Sequence, residues 1–299
     1  MFPIIPANSV AEESGNSEGI FGFGSTGSDT AVTNLVSSAG VVSSDVAGVG
    51  TGRYNLGACE YGGDKGIFAY GYSGGTVSMS NLVSNAGVVA SDVAGVGTSR
   101  EAVTGCSYGG DKGIFGLPGD LSTKFCNLVS NTGVIGSDVA VVAFHRGYLG
   151  ACEYGEDKAI FGFGFHYTVS YVGMTNLVSN TGVVSSDVAA VGTARSTLGA
   201  CSYGEDKGIF AYGNTGSVTA ISNLVSNTGV VASDVAGVGT ARNYLAATQY
   251  GGDKGIFGYG TGAPSYVNMS NLVSNTGVIG SDVAGVGTAR RSSAACSFN

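Results

Sequence analysis

One string of residues recurs six times along this chain, and the recurrence limits the possible folds more than any other feature. Asn-Leu-Val-Ser begins at Asn34, Asn81, Asn127, Asn176, Asn223 and Asn271, at intervals of 47, 46, 49, 47 and 48 residues. Ser-Asp-Val follows in every copy and places Asp45, Asp92, Asp138, Asp187, Asp234 and Asp282 in register. An arginine closes each copy: Arg53, Arg100, Arg146, Arg195, Arg242 and Arg290. A unit of this size cannot bury its apolar face alone, so like units must stack on one another.

Each unit reads as four short strands. In the copy ending at Arg242 these are strand A, Leu198–Tyr203; strand B, Lys207–Gly213; strand C, Val218–Ser226; and strand D, Val230–Val238. Gly204-Glu205-Asp206 turns A into B, and Asn227-Thr228-Gly229 turns C into D, with a glycine suited to the left-handed turn position. Strand B places Ile209, Ala211 and Gly213 on one face and Phe210 and Tyr212 on the other. Strands this short with regularly spaced turns define an all-β chain, and no long stripe of helical period competes.

Four strands per unit of about 47 residues is the β-propeller pattern. The first unit starts at strand B, with Gly19-Ile20-Phe21-Gly22-Phe23-Gly24. The last is followed by Ser293-Ala294-Ala295-Cys296-Ser297-Phe298, which matches strand A. The expectation is a closed six-bladed β-propeller over residues 18–299, its N-terminal blade completed by the C-terminal strand, after a leader at residues 1–17. Closure of this kind leaves no loose sheet edge inside the ring.

The units resemble kelch repeats over nearly the whole chain. The shared order is the Arg, a strand of small residues with Ala-Ala or Gly-Ala, then Asp-Lys-Gly-Ile-Phe-x-Tyr-Gly where kelch repeats carry a Lys-Ile-Tyr-like strand ending in Gly-Gly. The second Gly is mostly missing and the chain has no Trp, so the resemblance implies the fold and no activity. The strings Tyr250–Gly260 and Asn223–Val230 also resemble Gly-rich tandem repeats of tail and other virion proteins of aquatic bacteriophages. That resemblance implies a virion-associated protein, a phage tail or decoration component.

Composition excludes several classes. With a formal net charge of −8 and no basic stretch, nucleic acid is not an expected partner. No apolar run approaches the roughly 18 residues of a membrane span, so no membrane insertion is expected. Met1 to Gly19 shows neither basic nor apolar segments of a signal peptide, which leaves the virion, or otherwise the cytoplasm, as the expected location. Five cysteines share one strand A position: Cys59, Cys106, Cys152, Cys201 and Cys296, with Thr248 in the sixth copy and Cys126 elsewhere. One thiol per unit suits packing between units better than a disulfide framework. The repeated Asp and Arg residues read as scaffold, and the five Asp-Lys pairs as solvated A–B turns. Their charges cancel, so the acidic excess lies outside the repeat.

Function is then sought where copies differ. Two connections vary, B–C (Tyr72–Val77 or Phe165–Val172, for example) and the residues after each repeat Arg (Tyr54-Asn55, Glu101-Ala102, Gly147-Tyr148, Ser196-Thr197, Asn243-Tyr244, Arg291-Ser292). Both emerge on one face of an antiparallel four-stranded blade, whereas the nearly constant A–B and C–D turns emerge on the other. Variable loops on a rigid scaffold suit binding. The candidates are Phe144, His145, Tyr148, Phe165, His166, Tyr167, Tyr171, Tyr72, Lys124, Tyr244 and Tyr266. Aromatic rings with polar tips suit contact with a protein or a glycan. Two histidines without a third ligand do not make a metal site, and no nucleophile elbow or carboxylate pair points to catalysis. The expected protein is non-enzymatic, without cofactor or metal, and contacts a virion protein, a cell-surface receptor or a glycan. The alternatives are a cellular kelch-like adaptor or a sugar-binding propeller lectin.

Overall fold

The computed structural model describes residues 16–117 and 124–299. The expectations for the leader fall largely outside these residues, as does most of the Leu117–Lys124 connection. The described residues are all-β and contain no helix, hence none long and apolar enough to cross a membrane. The strands are β1 (Glu18–Gly22) and β2 (Thr33–Val36); β3 (Gly57–Tyr61), β4 (Lys65–Ala69) and β5 (Ser80–Val83); β6 (Thr104–Tyr108), β7 (Lys112–Gly116), β8 (Phe125–Val129) and β9 (Val139–Ala140); β10 (Gly150–Tyr154), β11 (Lys158–Gly162), β12 (Phe165–His166), β13 (Ser170–Tyr171) and β14 (Thr175–Val178); β15 (Gly199–Tyr203), β16 (Lys207–Ala211) and β17 (Ser222–Val225); β18 (Ala246–Tyr250), β19 (Lys254–Gly258) and β20 (Ser270–Val273); and β21 (Ala294–Phe298).

Every unit forms one antiparallel sheet in the order A, B, C, with β3-β4-β5 and β15-β16-β17 as examples. The first sheet is assembled from both ends of the chain: β21 pairs with β1 from Glu18↔Phe298 to Gly22↔Ala294. Ser17 N donates to Asn299 O at 2.9 Å, which stands in for the covalent A–B turn of the other units. The A strands touch one another in the order β3, β6, β10, β15, β18, β21, and β21 touches β3.

The fourth strand differs from the expected one. Only the third unit has a regular fragment there, β9. Elsewhere the segment touches strand C through two isolated bridges, such as Val225↔Val231 and Ser222↔Val235. These bridges are three residues apart on strand C and four apart on the outer segment, so the outer segment carries one extra residue, a bulge. The repeat Asn explains it. Asn223 Nδ2 donates to Ala232 O and to Asp234 Oδ1, both at 2.9 Å, and takes the place of ladder hydrogen bonds. Strand B also stops early, at Ala211, because Tyr212 adopts φ 65° and Gly213 φ 107°.

That left-handed step turns the aromatic ring across the boundary between units. The repeat arginines are the largest side chains buried there, at most 2% exposed. Arg242 lies over the Tyr212 ring at 4.3 Å while its Nε donates to Tyr259 O at 3.0 Å, joining one unit to the next. Arg290 does the same between the last unit and the first, stacking on Tyr259 at 4.0 Å and donating to Phe23 O at 2.9 Å. Burial pulls Arg53, Arg146 and Arg195 down to about 10, with Asp92, Asp187 and Asp234 respectively opposing the shift. They stay charged at neutral pH. The repeat Asp residues bind across the same boundaries: Asp282 accepts from Thr240 N and Oγ1, and Asp45 from Thr288 N and Oγ1.

Small residues let the units approach. A Cβ on Gly208 would lie 2.4 Å from Cys152 Sγ, and one on Gly162 2.7 Å from the Phe210 ring. All six thiols are free and buried. A planar guanidinium stacks flat on a ring while donating through a rigid fork, a combination that the Lys ammonium cannot reproduce. Arg242→Lys should therefore lower the unfolding free energy by about 2 kcal/mol, read as a lower urea midpoint at unchanged slope. A midpoint equal to wild type would contradict the arginine's role.

Candidate binding face

In five of the units the backbone brings the two variable segments together. Tyr54 bridges to Tyr72, Gly147 to Phe165, Ser196 to Asn214, Asn243 to Thr261 and Arg291 to Ser25. The second residue after each repeat Arg is held in the left-handed region. Asn55, Ala102, Tyr148, Thr197, Tyr244 and Ser292 have φ between 52° and 57°, a conformation that costs each of them about 1 kcal/mol or more. Backbone hydrogen bonds hold the strained residues in a chain: Asn55 N to Ser292 O, Ser292 N to Tyr244 O, Tyr244 N to Thr197 O and Thr197 N to Tyr148 O, at 2.9–3.0 Å. They surround a recess of about 80 Å³ whose wall includes Leu56, Leu149, Leu245 and Ser293.

Side chains of these segments pack against one another in small groups, of which Tyr148 and Tyr244 line the recess. Tyr148 and Tyr244 pack edge to face with centroids 6.0 Å apart. Phe165 packs against Tyr167 and Tyr171, and Phe144 against His166 at 4.7 Å. Tyr171 Oη donates to Asn214 Oδ1 at 3.3 Å. Tyr72 lies against Tyr54 at 5.4 Å. The Arg291 guanidinium lies 5.5 Å from the Tyr244 ring and 5.3 Å from the Tyr266 ring. Burial, followed by neighbouring phenols and Glu101, raises the Tyr148 hydroxyl well above its ordinary range. Burial raises Tyr244 as well, against the opposing charge of Arg291. Both phenols are neutral donors at physiological pH.

Of the expected residues, Phe144, Tyr148, Phe165, His166, Tyr167, Tyr171, Tyr72, Tyr244 and Tyr266 thus fall into contacts on these paired segments. Tyr167 is the most open ring, 59% exposed. His145 is half-buried beside Phe144, and Lys124 is exposed and stands apart from these ring contacts. Residues outside the expected set belong to the same surface: Tyr54, Arg291, Asn55 and Glu101, the last two joined by Asn55 Nδ2 donating to Glu101 Oε2 at 2.8 Å. Their cue in the sequence is positional, since they follow a repeat Arg as Tyr148 and Tyr244 do.

Further cavities run along the inner strands from this recess, lined by equivalent residues of all six strands. At the A–B turns they open into a cavity of about 370 Å³ walled by Asn16, Glu60, Ser107, Glu153, Glu205 and Gln249, among others. The turns on that side are bound tightly. Asp111, Asp157, Asp206 and Asp253 each hold the following Lys at 2.5–2.7 Å and accept from a C–D turn Asn at 2.9–3.0 Å. Gly62, Gly109, Gly155 and Gly204 donate backbone bonds of 2.7–2.8 Å to the next unit's Asp. Among the described residues, no group of three or more His, Cys, Asp or Glu is placed to hold a metal ion. No protein-family model and no curated protein matches the chain.

The inner cavity gives stability a pH dependence. Burial and then the nearby Glu60 push the Glu153 carboxyl up to about 8, although Ser107 donates to it at 2.9 Å. Glu60 is raised in the same direction by burial. The unfolded chain releases these protons near the ordinary value of 4.5, so rising pH favours unfolding until the folded carboxyl also ionises near 8. Asp45, Asp92, Asp138, Asp234 and Asp282 act oppositely. Their burial is outweighed by Thr and Asn hydrogen bonds, and they stabilise until acid protonates them. Stability should therefore peak at mildly acidic pH. In Glu153→Gln the fall in melting temperature between about pH 5 and pH 9 should flatten by several degrees. An unchanged slope in differential scanning calorimetry would contradict this assignment.

Proposed function

We propose that the six sheets close into a six-bladed β-propeller of four antiparallel segments per blade, acting by binding rather than by catalysis. The pairing of β21 with β1, the A-strand contacts that return to β3 and the Arg290–Phe23 link support the ring. Its role in this proposal is that of a virion-associated protein, a phage tail or decoration component. Its target is a host receptor, a glycan or another virion protein. The virion setting is supported by the likeness of the repeat strings to aquatic phage repeats.

The observation that carries the binding reading is the gathering of unlike residues onto one face. Tyr148, Tyr244, Tyr167, Tyr171, Tyr54 and Arg291 occupy positions where the units diverge, yet they come within electrostatic reach of one another. The opposite turns repeat the same Asp-Lys and Asp–Asn contacts in unit after unit. Loops freed from the scaffold's own hydrogen bonding can diverge without loss of stability.

Replacing both Tyr148 and Tyr244 by Ala should leave the fold intact, as read by circular dichroism. It should weaken adsorption of the purified chain to host cells, or to virions stripped of it, by about tenfold or more. Full adsorption by this variant, with loss falling instead on Glu205→Lys at the A–B turns, would place binding on the other face and overturn the reading.

A further inference from the structure

We infer that the recess ringed by Tyr148 and Tyr244 is a subsite for a neutral saccharide, an inference that rests on the binding-face reading above. A pyranose offers apolar C–H faces and a rim of hydroxyls. Aromatic rings with polar tips accept the first, and planar amide, carboxylate and guanidinium groups accept the second. Both sets are present within one small area. Tyr148 and Tyr244 stand edge to face at 6.0 Å over a recess of about 80 Å³, a space for part of one sugar rather than for a folded segment.

The polar groups there are unusually unspent. Ser293 lines the recess, and Asn243 precedes Tyr244; both are more than nine-tenths buried. Among the described residues, Ser293 Oγ and Asn243 Oδ1 have no hydrogen-bond partner. Buried polar atoms are almost always satisfied, so Ser293 Oγ, in the wall of the recess, is a group that a ligand hydroxyl there would satisfy. Arg291 adds a guanidinium braced by two tyrosine rings, and it forms no ion pair among the described residues. It is also exceptional in the chain. Of the 13 Lys and Arg residues, six are the buried repeat arginines and five are turn lysines paired to Asp, which leaves Lys124 and Arg291.

Two contrasts narrow the ligand class. Tyr and Arg also anchor protein interfaces, but there they sit within a broad apolar core. The large exposed apolar residues of these loops are Tyr167 and Val169, and the other exposed large hydrophobics are valines of the outer fourth segments. An acidic sugar gains no field of one sign here. Glu101 acts on both Tyr148 and Tyr244, and Arg291 opposes it at Tyr244. With Asn55 fixing the Glu101 carboxylate, acceptor and donor are both set for hydroxyl groups.

The test is a printed array of neutral and uronic- or sialic-acid-containing oligosaccharides, followed by titration of the best ligand. Intrinsic tyrosine fluorescence is the reporter, since the chain has no Trp. The inference expects a neutral saccharide to bind with little dependence on salt. Affinity should fall about tenfold or more in Tyr244→Ala and in Arg291→Met, and stay unchanged in Glu205→Gln. Binding confined to acidic saccharides and suppressed by salt would overturn the neutral class. No saccharide bound, while Tyr148→Ala/Tyr244→Ala still abolishes adsorption, would overturn the saccharide and leave the binding face standing. Loss of neither would remove both.

Discussion

The buried arginine between adjacent units is the contact on which the rest of this molecule depends. The A, B and C strands are four or five residues long, Gly-rich, and supply few large side chains of their own. The repeat Arg fills the boundary; Arg53, Arg100, Arg195, Arg242 and Arg290 stack on a ring of one unit, and the Nε of Arg53, Arg146, Arg195, Arg242 and Arg290 donates to the backbone of the next. A guanidinium taken out of water is stabilising only if its donors are met and its charge is compensated. The left-handed aromatic at the end of strand B and the Asp of the following unit supply these conditions. Several oddities of the repeat follow from that requirement, including the positive φ of Tyr70, Tyr212 and Tyr259 and the Gly after each.

With the boundaries fixed by repeated contacts, the loops on the two sides have different freedom. On one side Asp, Lys and Asn are consumed in turn contacts and in backbone bonds to the next unit, so substitution there disturbs the scaffold. On the other, backbone bonds alone hold the positions after each Arg, and the side chains are released from structural duty. Asn, Ala, Tyr, Thr, Tyr and Ser all occupy the same strained position. Side-chain diversity at constant backbone is the condition under which a surface can be tuned to a partner.

The sheet order and the joining of β21 to the first sheet are legible in the repeat itself. Ser293–Phe298 matches a strand that the first unit lacks. The form of the fourth strand is not legible. Val230–Val238 alternates like a strand, while its bulge is set by the Asn223 side chain, a contact between segments that periodicity does not carry. Tyr212 alternates with its strand neighbours for the same reason, yet its backbone turns over to meet Arg242. The site is legible where aromatic residues interrupt the repeat, as at Phe144 and Tyr167. Glu101 and Arg291 are legible as variable positions after the repeat Arg, but their partners, Asn55 for the one and the Tyr244 and Tyr266 rings for the other, are contacts between units that the repeat does not carry.

The central claim is that the units form an unbroken ring in which β21 is equivalent to every other inner strand. Native-state hydrogen exchange measures this without altering the chain, by comparing the amides of Ala294–Phe298 with those of Gly199–Tyr203. The ring predicts protection of the two strands within about tenfold of each other, because both open only with the whole domain. Exchange of Ala294–Phe298 faster by several orders of magnitude would show a frayed terminal strand and contradict the ring.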